Sequence, residues 1–252
     1  MGLSLCYEIR QRTDAAGARR IVGKLRDLAL SLDFDEVSEL IEFRGEPGEH
    51  RDDETERLLS IFGSQYGQKT MPDGQEIWVP INPRHVVCFA IQPTRGSETA
   101  QVGLAAHPAV VEYEHLGTTH YIETGLAGVY SWSQCCKTQY AGLKQYGGVA
   151  NFLRAHLGLV AFLDQARQTG LSIEVSDDSG YWADRDRTKL EQSLDRWNGL
   201  IAAFAGQLKD RLGTDAETGV QAPIFTAPDF EHLEAKGLAD WSEPEEEDEA
   251  SP

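Results

Sequence analysis

A cluster of reactive residue types follows a predicted strand near the middle of the chain. Cys135 and Cys136 stand next to Lys137, and a lysine beside a thiol can lower the thiol pKa and so create a nucleophile. Tyr140 follows closely, and His156, farther along, could act as a base. If the protein is an enzyme, these five residues are its predicted catalytic residues. The alternative is that the cysteines are small hydrophobic residues of a strand.

An acidic loop, SDDSGYWADRD, offers a second kind of chemistry. Its density of carboxylates suits a hard cation such as Mg²⁺ or Ca²⁺, and its aromatic rings could stack on a ligand. The local alternative is that Asp-Asp-Ser-Gly forms a turn and that a later aspartate caps the next helix. The sequence favours this local role, so it predicts neither a bound metal nor a cofactor. The candidate ligand-binding residues are Asp177, Asp178, Tyr181, Trp182, Asp184 and Asp186.

Two long helices and a short strand would have to position these residues. The first helix is predicted over residues 149–168, and its apolar circumference requires burial on most sides. His156 lies on its apolar side, where a histidine is usually a hydrogen-bonded core residue. A strand over residues 171–175 then leads into the acidic loop. The loop therefore lies at the C-terminal end of a strand, where many sheets bind a ligand. The second helix is predicted over residues 187–212.

The second helix has two distinct faces. Two glycines within a helix each cost about 1 kcal/mol relative to alanine, so another element is expected to approach the backbone closely on their side. The opposite face has apolar residues at three- and four-residue spacing, which predicts that it faces the core. The helix is therefore expected to be sandwiched. The glycine face consists of Gly199, Ala202, Ala203 and Gly206, and the apolar face of Leu190, Leu194, Trp197, Ile201, Phe204 and Leu208.

The rest of the chain predicts a sheet. Alternating residues indicate a strand over residues 3–9, followed by a helix over 15–32 that Asp14 can cap, and a strand over 36–44. A ferredoxin-like opening is one interpretation of this order. A short helix is expected over residues 53–62, and five or six strands over 76–136. Because strands and helices are grouped apart, the fold class is α+β: an extensive mixed, mainly antiparallel sheet with three main helices packed on it.

Composition limits the class of protein further. The 252 residues are expected to form one domain over residues 1–240, followed by an acidic disordered tail over 241–252. The net charge of −18 argues against nucleic acid or an anionic membrane as the partner. No apolar run is long enough for a membrane helix, and no secretory signal is expected. The four cysteines fit reduced thiols in a cytoplasmic protein.

The helix over residues 15–32 carries the basic face of an otherwise acidic chain. A loose electrostatic contact with the acidic tail could cover this face until an anionic partner displaces the tail. A solvated tail is the simpler expectation, because exposed ion pairs contribute only about 0–1 kcal/mol. The basic residues are Arg19, Arg20, Lys24 and Arg26.

Motifs of known mechanism are absent from the sequence. It has no glycine-rich dinucleotide or phosphate loop, no nucleophile elbow, no HExxH and no EF-hand spacing. The sequence therefore favours a non-catalytic binding or interaction protein with a protein or small-molecule partner. The alternative is a metal-assisted or cysteine-dependent hydrolase with its site near residues 177–186. In that case, the strand ending near Cys136 and the strand ending at Val175 should meet at the site.

Overall fold

The computed structural model describes residues 2–44, 63–70, 74–212 and 222–242. Within these ranges the chain forms a seven-stranded sheet, two separate two-stranded hairpins and several helices, so the fold is α+β. None of the helices in this part of the chain is long and apolar enough to cross a membrane. The helical candidate over residues 53–62 and the acidic residues 243–252 lie outside the described residues.

The elements follow the chain in this order. The strands are β1 (Ser4–Arg12), β2 (Glu36–Val37), β3 (Ile41–Arg44), β4 (Gln65–Thr70), β5 (Glu76–Ile81), β6 (His85–Gln92), β7 (Ala100–Ala106), β8 (Val110–His115), β9 (Thr118–Glu123), β10 (Val129–Lys137) and β11 (Ser172–Asp177). The α-helices are α1 (Ala15–Leu30), α2 (Gly148–Gln168), α3 (Tyr181–Asp184), α4 (Arg187–Leu212) and α5 (Phe230–Ser242). Short 3₁₀ helices cover Gln139–Gly142, Lys144–Tyr146 and Pro223–Thr226.

The large sheet is antiparallel throughout. Its strand order is β11-β1-β10-β7-β6-β2, and β3 pairs with β6 beside β2. Strand β1 pairs along its whole length with β10, from Ser4 opposite Lys137 to Arg12 opposite Val129. Helix α1 connects β1 with β2, and β10, β7 and β6 lie between these two strands. The first strand of the chain is therefore enclosed by the last two strands, β10 and β11.

Helices α1 and α2 cover one face of the sheet. Leu5, Tyr7 and Ile9 of β1 point to this face and are buried, as the alternation in the sequence predicted. They share the core with residues of α1, α2 and the central strands. The intervening residues of β1, such as Cys6 and Glu8, point to the opposite face of the sheet, which is open to solvent along β1.

Several boundaries differ from the prediction. The strand expected over residues 36–44 is divided into β2 and β3, and no sequence pattern predicted β4, α3 or α5. Helix α5 continues through Trp241 and Ser242, beyond the expected start of the tail. Most of the elements that were not predicted, or whose bounds differ, are short or lie near the end of the described chain. Local sequence patterns are weakest there.

Helix α4 is sandwiched, as its glycines predicted. Its N-terminal part packs against α2 through Leu190 and Leu194, and its small residues pack against α5. A Cβ atom added at Gly237 of α5 would overlap the carbonyl group of Gly199. The predicted apolar row is only partly buried: Phe204 is 40% exposed, because α5 covers the small-residue side of α4 instead.

Substituting Gly237 by alanine should therefore destabilise the protein. The added Cβ would force α4 and α5 apart, and overpacking of this kind costs roughly 1–3 kcal/mol. Gly23 of α1 is a matched control, because a Cβ atom there meets no atom within 4 Å. Gly23→Ala should raise stability by about 0.5–1 kcal/mol. Urea unfolding of both variants tests the contact, and a Gly237→Ala protein as stable as the parent would contradict it.

Candidate functional site

The ends of β10 and β11 meet at the start of β1, in an arrangement called here the strand-end junction. Leu5 lies opposite Cys136 on one side and opposite Asp177 on the other. The Ser4 amide donates to the Asp178 carboxylate at 3.0 Å, and the Asp178 amide donates to the Ser4 carbonyl at 3.1 Å. The two strand ends that the hypothesis of a common site required to meet therefore lie on either side of the start of β1, which separates them.

His156 of α2 connects the two strand ends from inside the core. Its Nδ1 lies 3.0 Å from the Thr138 hydroxyl, just after β10. Its Nε2 lies 3.3 Å from Asp177 Oδ2 and 3.4 Å from the Ser179 hydroxyl. His156 and Thr138 are fully buried, and the Asp177 side chain is 1% exposed. The apolar circumference of α2 thus carries a hydrogen-bonded core histidine, as expected.

Asp177 is the most extensively hydrogen-bonded carboxylate of the junction. Its Oδ1 accepts from the Ser179 amide at 2.9 Å and hydroxyl at 2.7 Å, and its Oδ2 accepts from the Trp182 amide at 2.8 Å. Burial alone raises the pKa of Asp177, but the hydrogen bonds and the charge of His156, together with Ser179, outweigh burial and lower the pKa to about 2. The ionised carboxylate therefore fixes the start of the acidic loop.

A buried amide pair extends the junction to α4. The Gln139 carbonyl oxygen accepts from the Leu3 amide at 2.9 Å, and the Gln139 amide group donates to Asn198 Oδ1 at 2.9 Å. The sequence did not indicate Gln139, Thr138 or Asn198. A polar residue after a strand or within a helix looks the same in sequence whether it lies in solvent or in the core, so no local signal distinguishes these residues.

The structure corrects the expectation of four reduced thiols. Cys6 and Cys135 form a disulfide between β1 and β10, so Cys135 carries no free thiol here. Cys136 is fully buried on the helix-covered face, and its thiol donates to the Glu98 carbonyl at 3.2 Å. Burial raises the pKa of the Cys136 thiol, which favours the protonated form.

Lys137 and Tyr140 lie at the rim of the junction. The Lys137 ammonium is 3.9 Å from a Glu98 carboxylate oxygen and 5.9 Å from the centre of the Tyr140 ring. Burial raises the pKa of Tyr140. Because successive side chains of a strand alternate, Lys137 and Cys136 point in different directions, and the lysine charge is directed at Glu98 instead of the thiol.

The carboxylates after Asp178 have local partners. Asp186 caps α4 by accepting from the amides of Thr188 at 2.9 Å and Lys189 at 3.2 Å. Asp184 accepts from the Asp186 amide at 2.9 Å and pairs with the Lys189 ammonium at 3.1 Å. Among the described residues, no three His, Cys, Asp or Glu side chains are grouped so that they could hold a metal ion. These contacts match the turn-and-cap alternative.

The two aromatic rings of the acidic loop are also in contact with the chain itself. The Arg185 guanidinium lies 4.5 Å from the centre of the Trp182 ring and 5.8 Å from that of Tyr181. Both rings are partly buried against the main core, and Tyr181 packs edge-on against His156. Their contacts anchor the loop to α2.

A second buried polar cluster lies at the other end of the sheet and was not predicted. The His85 Nδ1 lies 2.7 Å from the Tyr130 hydroxyl, and its Nε2 lies 3.0 Å from Glu42. The Arg44 guanidinium, His85 and Arg19 lower the pKa of Glu42 to about 2, against the opposing effect of burial. These hydrogen bonds join β3, β6 and β10, and Arg19 connects Glu42 to α1. The members come from four elements that are far apart in the sequence, so sequence spacing could not reveal the cluster.

A cleft of about 550 Å³ opens between α1 and the C-terminal end of α2. Its walls combine an apolar floor with a polar rim. Lys24 supplies the charge at the rim, and it has no hydrogen-bond or ion-pair partner among the described residues. The floor is formed by Ile21, Leu25, Leu28 and Leu171, and the rim by Gln11, Lys24, Gln165, Gln168, Thr169 and Gly170.

Comparison with known proteins gives no further guide to the site: no family model, no curated protein and no solved structure matches the chain.

Proposed function

We propose that the protein is a non-catalytic binding protein that holds a small amphipathic carboxylate in the cleft between α1 and α2. The observation that carries this proposal is the cleft itself. Its volume of about 550 Å³ is in the range of small-molecule sites. An apolar floor with a few polar groups at the rim is the usual construction of such a site.

The lining indicates the ligand class. Leu25 and Leu171 are almost fully buried and present aliphatic surface at the floor, which suits a hydrocarbon chain. Lys24 is exposed and offers the one charged group of the lining, so a carboxylate head at the rim would gain an ion pair. The glutamine side chains of the rim can donate and accept hydrogen bonds around that head.

Octanoate is a suitable probe, because it combines a carboxylate with an aliphatic chain. We expect saturable binding, and we expect Lys24→Gln to weaken it about tenfold, the equivalent of one charge-assisted hydrogen bond. Arg211→Gln removes the same charge from an exposed position of α4 outside the cleft and should leave the affinity unchanged. Isothermal titration calorimetry measures both effects.

Three results of this titration would contradict the proposal. One is the absence of saturable octanoate binding to the parent protein. Another is an equal loss of affinity in the Lys24 and Arg211 variants, which would reflect net charge instead of a local contact. The third is equal affinity for octanoate and the uncharged 1-octanol, which would remove the role of the carboxylate.

The competing proposal, a metal-assisted or cysteine-dependent hydrolase near residues 177–186, has weaker support. The carboxylates of that loop already accept hydrogen bonds from the chain, and the nearby Cys136 thiol is buried. A reactive group must reach its substrate, whereas the central groups of the junction are enclosed. The binding proposal therefore ranks first.

The proposal includes a cytoplasmic location and excludes nucleic acid as the main partner. The net charge of −18 supports the second point, because it opposes contact with a phosphate backbone. In the cytoplasm, thiol reductants keep most cysteines reduced, so they would act on the Cys6–Cys135 disulfide.

A further inference from the structure

The Cys6–Cys135 disulfide lies on the open face of the sheet. The two cysteines are directly opposite each other on β1 and β10, and Ser176 of β11 lies opposite Cys6 on the other side. Their neighbours Leu5, Tyr7 and Cys136 point to the helix-covered face and are buried. Cys135 is exposed and Cys6 is half-buried, so a reagent can approach the disulfide from solvent.

The surroundings of the disulfide select among possible reagents. Together with the sheet backbone, Glu8, Ser133, Glu174 and Ser176 line a shallow depression of about 260 Å³ around Cys6. Glu8 and Glu174 are opposite each other in neighbouring strands, one step along the same face from the disulfide. Arg10 pairs with Glu8 at 2.6 Å, and Lys137, on the other side of the disulfide, pairs with Glu98 at 3.9 Å. Glu174 has no ion-pair partner among the described residues, so its negative charge opposes the approach of an anionic thiol, and it admits a neutral or cationic one.

The other two described cysteines cannot take part in exchange with this disulfide in the folded protein. Cys136 follows Cys135 directly but points to the opposite face, and Cys88 is also buried. An attacking thiolate must reach a disulfide sulfur. An external thiol is therefore required.

We propose that the Cys6–Cys135 disulfide is a thiol–disulfide exchange site for a neutral or cationic dithiol that approaches the open face of the sheet. A thiolate of the dithiol attacks the exposed Cys135 sulfur, which breaks the Cys6–Cys135 bond and leaves Cys6 as the first free thiol. The second thiol of the reagent then attacks the mixed disulfide and releases Cys135. The dithiol loses two electrons and two protons, and both cysteines gain them.

The backbone pairing permits this exchange without unfolding. Strands β1 and β10 are paired in register from Ser4 to Arg12, independently of the disulfide. Reduction should therefore follow direct attack on the folded protein, with a rate proportional to the reductant concentration. A disulfide that is reached only through unfolding would instead be reduced at a rate that levels off at the unfolding rate.

Dithiothreitol is the probe for this test, with the oxidised full-length protein in native buffer. Alkylation and mass spectrometry at successive times should show Cys6 and Cys135 becoming labelled while Cys88 and Cys136 stay protected. The rate should rise in proportion to dithiothreitol. A rate that levels off, simultaneous labelling of all four cysteines, or an oxidised sample with four free thiols would overturn the proposal.

Two further measurements test the direction of attack and the reagent class. With 2-mercaptoethanol, the trapped mixed disulfide should be found mainly on Cys135, and a majority on Cys6 would overturn the assignment.

Glutathione, which is anionic, should react more slowly than 2-mercaptoethanol, and Glu174→Gln should reduce this difference in rate about threefold. Glu112→Gln, an exposed carboxylate of β8, is the matched control and should leave the difference unchanged. An equal effect of both substitutions would overturn the charge selection.

Discussion

Replacing both Cys6 and Cys135 by serine is expected to lower the free energy of unfolding by about 3–5 kcal/mol. The two cysteines are 129 residues apart in the sequence, so their disulfide closes a long loop in the unfolded chain. The chain-entropy relation gives about 5 kcal/mol for a loop of this length. For a protein of this size, the change corresponds to a drop of roughly 10 °C in the melting temperature. Urea unfolding and calorimetry measure both quantities.

Reduction of the parent protein supplies the control for this prediction. Dithiothreitol should lower the melting temperature of the parent by about as much as the double substitution does, and it should have no effect on the double variant. The prediction is wrong if the parent and the variant unfold at the same urea concentration under oxidising conditions. It is also wrong if the reductant shifts both proteins equally.

Substitution of Asp177 by alanine should be similarly severe, with a loss of about 3–5 kcal/mol, because it leaves several buried donors without an acceptor and each such donor costs about 1–3 kcal/mol. The change would leave His156 without its carboxylate and would remove the acceptor of the Ser179 and Trp182 amides. Asp184 in the same loop is the matched control, because its contacts with the Asp186 amide and Lys189 are exposed to solvent, so Asp184→Ala should cost much less stability than Asp177→Ala. Similar stabilities of the two variants would contradict the structural role of Asp177.

The same carboxylate should make stability depend on pH in acid. In the folded protein the pKa of Asp177 is lowered from 3.8 to about 2. A lowered folded-state pKa means that the stabilisation is present above pH 3.8 and is lost as the pH falls towards about 2, where the folded form also takes up the proton. Urea unfolding at intervals from about pH 5 to pH 2 should therefore show a shallower decline for Asp177→Ala than for the parent. Glu42, whose pKa is also lowered to about 2, should maintain part of the decline in both proteins.

Local sequence patterns predicted much of the fold. The alternation in β1 indicated which of its side chains are buried, and the apolar circumference of α2 indicated that His156 lies in the core. The glycines of α4 indicated the close approach of another element, although it was not predicted to be the helix α5. These features depend on residues within one or two turns of a helix or along one strand, where the backbone periodicity alone places side chains on a face.

The candidate site was predicted less completely. For the case of an enzyme, the sequence placed the ends of β10 and β11 at one site, and in the structure they lie on either side of the start of β1. The sequence left the cap of α4 to Asp184 or Asp186, and the structure shows that it is Asp186. The sequence did not indicate that Thr138 and Asp177 would lie on opposite sides of the His156 ring. It also did not indicate the cleft between α1 and α2, because the two helices contribute its walls from distant parts of the chain.

The disulfide shows most clearly the difference between what the sequence determined and what the tertiary structure decided. The sequence by itself determined that β1 and β10 are strands and that their cysteines alternate with buried residues. Whether Cys6 would face Cys135, Cys88 or no cysteine depended on which strands are neighbours and in what register. A shift of one residue in that register would move every side chain of β1 relative to its partners. Strand order and register are set by packing of the whole core, so the tertiary structure alone decided the pairing and left Cys136 buried on the other face.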